Sequence, residues 1–193
     1  NFKLFFDPVD HHGIDTAIIN TCGFINDAKQ ESIDTILQFV RAKQENMIEH
    51  VYVMGCLSER YKVKLQKEIP EVDAFFGVND MKKIISHIGG TFKTQLLGER
   101  KITTPSHYAY LKIAEGCDRK CFFCAIPMIR GKHASRTMED IIGEAFRLVA
   151  AGVKEINLIS QDTTYYGLDL YQKRLLPELL DSMANIPGLE WIR

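Results

Sequence analysis

The 193-residue chain is 46% hydrophobic and 25% charged, and its 24 Lys and Arg against 25 Asp and Glu leave a formal net charge of −1. Such a balance describes an ordinary globular protein of one large or two modest domains, and it excludes capture of nucleic acid by overall charge. The longest apolar runs, such as Val51 to Met54, are far shorter than the roughly twenty residues of a membrane-spanning helix, so no membrane partner is expected.

The opening residues carry no pattern. Asp15 to Asn20 (DTAIIN) reads as a short buried strand ending at Thr21-Cys22-Gly23, and Asp27 to Lys43 follows with helical spacing of Ile33, Ile36, Leu37 and Val40. The alternation repeats. A strand over His50 to Met54 ends at Gly55-Cys56, a helix over Glu59 to Ile69 stops at Pro70, a third strand spans Val72 to Gly77, and a third helix spans Asp80 to Ile88. Strands alternating with helices predict a parallel, Rossmann-like α/β sheet for residues 1–90. The polar stretch 91–106, entered through Gly89-Gly90 and carrying Pro105, reads as a linker. A second α/β region, 107–193, then begins with a strand over Tyr108 to Ala114. A helix over Met138 to Ala151, a strand over Lys154 to Ser160, a helix over Leu175 to Asn185 and a strand over Leu189 to Arg193 complete it.

Between the first strand and first helix of this second region lies EGCDRKCFFCAIPMIRGKHASR, Glu115 to Arg136, which packs Cys117, Cys121 and Cys124 into eight residues. Thiolates are soft ligands. Three at C-x3-C-x2-C spacing can close on one metal centre but leave the four-ligand shell of structural zinc incomplete. The spacing also departs from ferredoxin runs, which recruit a fourth cysteine. Zinc held by the three cysteines with His107 or His133 is the rival reading. An odd total of five cysteines, with no signal peptide, argues against a disulfide framework and for a reducing, cytoplasmic setting. Cys22 and Cys56 each follow a predicted strand, and parallel strands place their carboxyl ends on one edge, so the two thiols can converge; the plainer reading makes each a small buried hydrophobe.

With Phe123 directly before the last cysteine, the loop resembles the radical S-adenosylmethionine (SAM) enzymes. The continuation AIPMIRG and the later SQDTTYYG are similar to the methylthiotransferases among them, and to the branch that modifies an aspartate β-carbon in ribosomal protein S twelve of the small ribosomal subunit. The sister branch modifies a transfer RNA adenosine. The resemblance implies a partial TIM-like βα barrel over 107–193, a 4Fe-4S cluster on Cys117, Cys121 and Cys124, and SAM on the uncapped iron, where an injected electron cleaves it to a radical. It places Phe123 near the adenine. NTCGFI and GCLSERY resemble two of three motifs for a second 4Fe-4S cluster, which makes Cys22 and Cys56 its ligands, with the third expected upstream of this chain. An electron donor is implied as a further partner. Because a radical removes the hydrogen, no side chain is expected as acid or base.

Gln161 and Asp162 follow the second strand of this region, on the face where barrel enzymes carry their catalytic loops, and are expected to hydrogen-bond SAM; ordinary turn chemistry is the alternative. Arg119, Lys120, Arg130, Lys132 and His133 form a basic run, read either as a solvated face or as a contact for SAM carboxylate or a ribosomal particle. Tyr165 and Tyr166 are expected to pack rather than stack on a ligand.

Overall fold

The computed structural model describes residues 13–91 and 102–193; the centre of the expected linker, 92–101, lies outside them. The chain divides into two compact units, the first ending at Phe92.

In the first unit, β1 (Thr16–Thr21), β2 (His50–Gly55) and β3 (Ala74–Phe75) form a parallel sheet in that order, linked by α1 (Asn26–Gln44) and α2 (Cys56–Glu68), with α3 (Met81–His87) following. Ala17 and Ile19 alternate inward on β1 and meet Val51 and Val53 of β2, Ile36 and Val40 of α1, and Leu57 and Leu65 of α2. Tyr52, Phe76 and Ile84 form a smaller cluster, so helices bury both faces of β2, as parallel sheets require. Two elements differ from expectation for local reasons. Helix α2 starts at Cys56 rather than Glu59 because Gly55, at φ +104°, turns the chain directly off the strand. Strand β3 covers two residues rather than the six of 72–77, because the Asp73 carboxylate takes the Val51 N–H at 2.7 Å and the Lys43 ammonium at 2.6 Å. A side chain there does the work of a ladder bond.

In the second unit, β4 (Tyr108–Lys112), β7 (Glu155–Ile159) and β8 (Trp191–Ile192) form a parallel sheet. Between them run β5 (Ala114–Glu115), α4 (Ile126–Arg130), β6 (Ala134–Ser135), α5 (Met138–Ala150), α6 (Leu168–Tyr171) and α7 (Leu176–Ala184). Leu111 of β4, Ile113 just after it and Ile156 of β7 pack on Ile141, Ala145 and Leu148 of α5 and on Leu179 and Met183 of α7. Thr137 caps α5 by accepting the Asp140 N–H at 3.2 Å, with Glu139 and Asp140 set against the positive end of the helix. One expected strand, 108–114, is in fact two. Its last residues turn away after Ile113 and pair antiparallel with β6, Ala114 opposite Ser135 and Glu115 opposite Ala134.

Candidate functional site

The β5–β6 pair is the base of the cysteine loop, and everything between Gly116 and His133 is an excursion from it. Gly116 has φ +77°, and a Cβ there would run into the Lys132 carbonyl, so the base closes only around glycine. The Cys117 N–H continues the closure by donating to the Gly131 carbonyl at 3.1 Å. Arg136 fixes the outgoing strand: its guanidinium donates to the Lys112 carbonyl at 2.8 Å and pairs with the buried Glu144 carboxylate at 2.7 Å.

Within the loop, Cys117 is buried, and its sulfur accepts the Arg119 N–H at 3.4 Å, while Cys121 is exposed and Cys124 half-buried. Phe122 and Phe123 stand almost wholly in solvent. Among the described residues no three His, Cys, Asp or Glu side chains form a ready metal-binding group, so the three thiols share the loop without closing on a common point. Their donor chemistry nonetheless fits a thiolate-held cluster, and an N–H already directed at one sulfur is the kind of contact that tunes such clusters. His107 precedes β4 at the strand end opposite the loop, at least roughly 15 Å along the strand, which removes it as a fourth ligand. His133 is buried; its Nε2 lies 3.1 Å from Ser135 Oγ, and its Nδ1 has no partner.

Gln161 and Asp162 follow β7 at the same sheet edge from which β4 leads into the loop, because the strands are parallel. The Asp162 carboxylate is engaged within the protein. It receives Arg119 Nε at 2.7 Å, the Thr164 N–H at 3.0 Å and Thr164 Oγ1 at 2.6 Å. Burial opposes its ionisation, but the Thr164 and Arg119 bonds outweigh that and hold its pKa below the usual carboxylate range. Gln161 instead keeps a buried Oε1 with no partner. Tyr166 is fully buried in the core, whereas Tyr165 lies under the Arg119 guanidinium, 4.7 Å from the ring centroid. The basic run is thus divided. Arg119 and Arg130 pair with Asp162 and Glu115, while Lys120 and Lys132 are exposed. Burial raises the Glu115 pKa, yet the Lys112 and Arg130 bonds prevail and lower it.

In the first unit, β1 and β2 end in register, Thr21 opposite Gly55, so Cys22 and Cys56 follow adjacent strand ends on the carboxyl edge. The residue after Cys22 lies close against the second strand end: a Cβ on Gly23 would stand 2.8 Å from the Cys56 carbonyl carbon. Cys22 is exposed and its N–H donates to Ser32 Oγ at 3.0 Å, whereas Cys56 is half-buried at the first turn of α2. Sequence reasoning missed strand β6, the Arg119–Asp162 bridge and the Ser135 contacts; the two glycines flanking the loop, Gly116 and Gly131, were the available signal for the hairpin.

Residues 8–77 match a family whose description is uncharacterized protein family UPF0004, and residues 111–190 match the radical SAM superfamily. The chain is 56% identical to the ribosomal protein uS12 methylthiotransferase RimO of Phocaeicola vulgatus over 192 residues, all of this chain and 44% of that protein. It is 56% identical to the protein of the same name from Cytophaga hutchinsonii over 176 residues, 91% of this chain and 40% of that one. The chain belongs to the radical SAM methylthiotransferases. It spans less than half the length of these curated relatives. Among solved structures, the radical SAM methyltransferase TsrM of Kitasatospora setae superposes with TM-score 0.59 at 10% identity, covering 92% of this chain and 43% of that one, a likeness of fold. Among the described residues no helix is long and apolar enough to cross a membrane.

Proposed function

We propose that this methylthiotransferase chain takes part in adding a methylthio group to the β-carbon of an aspartate in ribosomal protein uS12, in the cytoplasm, with SAM and two 4Fe-4S clusters in the whole protein. The observation that carries the reading is the thiol loop: three cysteines on one hairpin-based excursion, at the carboxyl edge of a parallel sheet. Cys117, Cys121 and Cys124 would hold one cluster, and Cys22 and Cys56 would contribute to the second. When bound and reduced by an external electron donor, the first cluster supplies the electron that cleaves SAM. A C–H bond of this kind has no acidity for a side chain to exploit, so the protein's share is position and exclusion of water.

Each residue then has a bounded task. Gln161 offers its unpartnered Oε1 as an acceptor for a polar group of SAM. Phe123, exposed on the open loop, is free to cover the adenine. Asp162, with its oxygens held by Arg119 and Thr164, fits a contact to SAM less well than Gln161 does. Relatives above 50% identity named for the ribosomal protein favour that substrate over transfer RNA, and the internal pairing of Arg119 and Arg130 removes two cations from any nucleic-acid surface. To test this, the full-length protein is incubated anaerobically with reductant and SAM, alongside either uS12 or unmodified transfer RNA. Mass spectrometry should find a methylthio group on the uS12 aspartate. Modification of the RNA alone, or a colourless zinc protein after reconstitution, overturns the proposal.

A further inference from the structure

We infer that Arg119 and Asp162 are a positioning pair that holds the cysteine loop against the loop after β7. The inference rests on the reading of Cys117, Cys121 and Cys124 as cluster ligands, but its first test does not. The loop is tied at its base by β5 and β6, and a hairpin base alone leaves the tip free to swing. Bonds from Cys117 to Gly131 and from His133 to Asp118 reinforce that base, and Arg119 supplies a tie from the loop to the segment after β7. Its Nε bonds Asp162 at 2.7 Å, its Nη2 bonds Thr164 Oγ1 at 3.3 Å, and its Cζ lies 4.7 Å from the Tyr165 ring centroid. Three partners on one short segment constrain a planar guanidinium in every direction, which a lysine cannot match.

The receiving segment is itself secured. The Gly167 N–H donates to Ser135 Oγ at 3.0 Å, the Ser135 N–H to Asp169 at 2.8 Å, and the Met138 N–H to the Tyr171 hydroxyl at 3.1 Å. Arg119 also reaches the thiols directly, because its own N–H is the donor to the Cys117 sulfur. A pull on the side chain therefore sets the place of a ligand atom. The segment it is pulled toward is also the one that carries Gln161.

Cys117 is 9% exposed, so its labelling by iodoacetamide reports opening of the loop, and the exposed Cys22 provides a reference within the same molecule. In the metal-free chain, Asp162→Asn and Arg119→Ala should each raise the Cys117 rate relative to Cys22 by about three- to tenfold, the span expected when a charge-assisted contact is lost. Arg119→Lys should restore part of the protection, and circular dichroism should show the same fold in all variants. After reconstitution with iron and sulfide, in a Cys22→Ser, Cys56→Ser background, a chelator should strip iron several-fold faster from Asp162→Asn than from its parent. Unchanged labelling and stripping in both variants overturns the positioning role. So does labelling that rises equally in Lys120→Ala, a neighbour outside the pair. If the parent takes up no iron on these three cysteines, the cluster reading fails while the labelling result still decides the pair.

Discussion

The two cysteine sites are built on different principles. Cys22 and Cys56 are placed by topology: two parallel strands end in register, and the next residue of each is a cysteine. Cys117, Cys121 and Cys124 are placed by a loop that is closed at its base and tied through Arg119 to Asp162. What the sites share is glycine in a left-handed conformation immediately before a cysteine, Gly55 at φ +104° and Gly116 at φ +77°. The first kind of arrangement exists as soon as the sheet forms, whereas the second would be completed by the cluster proposed for it.

The largest effect that could break this contrast is loss of the metal proposed for the loop. Cys121→Ala should leave too few thiolates for a cluster there, and iron bound by the loop after reconstitution should fall to background, with the thermal transition of the metal-free chain unchanged because Cys121 is exposed. Full iron content in that variant would assign the cluster elsewhere.

Next in size are the glycines. Gly55→Ala and Gly116→Ala each combine an unfavourable φ with collision against backbone, Thr21 in one case and Lys132 in the other, and should cost about 2–4 kcal/mol. Gly131 is the control within the same loop, with φ +76° and nothing within 4 Å of an added Cβ, so Gly131→Ala should cost only about 1–2 kcal/mol. Denaturant melts monitored unit by unit would compare them. A Gly131 effect as large as that of Gly116 would show that backbone conformation, not the tight base, governs the loop.

A smaller effect comes from acid. Asp162, Glu115 and Asp169 all keep folded-state pKa values below their ordinary ones, in each case because hydrogen bonds outweigh burial. Groups lowered in this way contribute stability that is complete above the unfolded pKa, about 4, and is lost as pH falls through the folded value. Hydrogen exchange over 117–125 should therefore quicken below about pH 4, and Asp162→Asn should blunt that change. In the first unit Asp73 is lowered as well, with Lys43 and the Val51 N–H overcoming burial, so its strand-end bond should weaken in the same window.

How much of this was legible in the sequence differs between the sites for the same physical reason. Period and punctuation located β1, α1, β2 and α5 within a residue or so, and the edge position of Cys22 and Cys56 followed from strands that recur in parallel. The loop was legible only as a ligand spacing. Its base is a two-residue pairing across eighteen intervening positions, too short to carry a period-2 signal, and Ser135 and Ala134 have no strand propensity to announce β6. Asp162 was legible as a turn residue at a functional edge, but its partner Arg119 is 43 positions away and looked like part of a solvated run. Side-chain bonds between distant loops leave no trace in local pattern.

The finest distinction between the two units rests on a fully buried residue in each whose hydroxyl is unpartnered. Ser58, two residues beyond Cys56, and Tyr166, four beyond Asp162, are both fully buried with a hydroxyl oxygen that has no partner. Burying an unpaired hydroxyl is unfavourable, so removing it while keeping the rest of the side chain should be neutral or stabilising by up to about 1 kcal/mol. Ser58→Ala and Tyr166→Phe should therefore leave each unit's melting temperature unchanged or slightly raised. Tyr166 offers a second readout. Burial, with Tyr171 and Glu139 adding to it, pushes its pKa up to about 12. An unfolded tyrosine ionises near pH 10 while the folded one stays neutral, so the second unit should lose stability as pH rises from about 10 towards 12. Tyr166→Phe should abolish that loss and leave the first unit's alkaline behaviour as it was. A Phe variant destabilised at neutral pH would mean that the hydroxyl bonds an ordered water, as the buried Ser32 hydroxyl in the first unit bonds the Cys22 N–H.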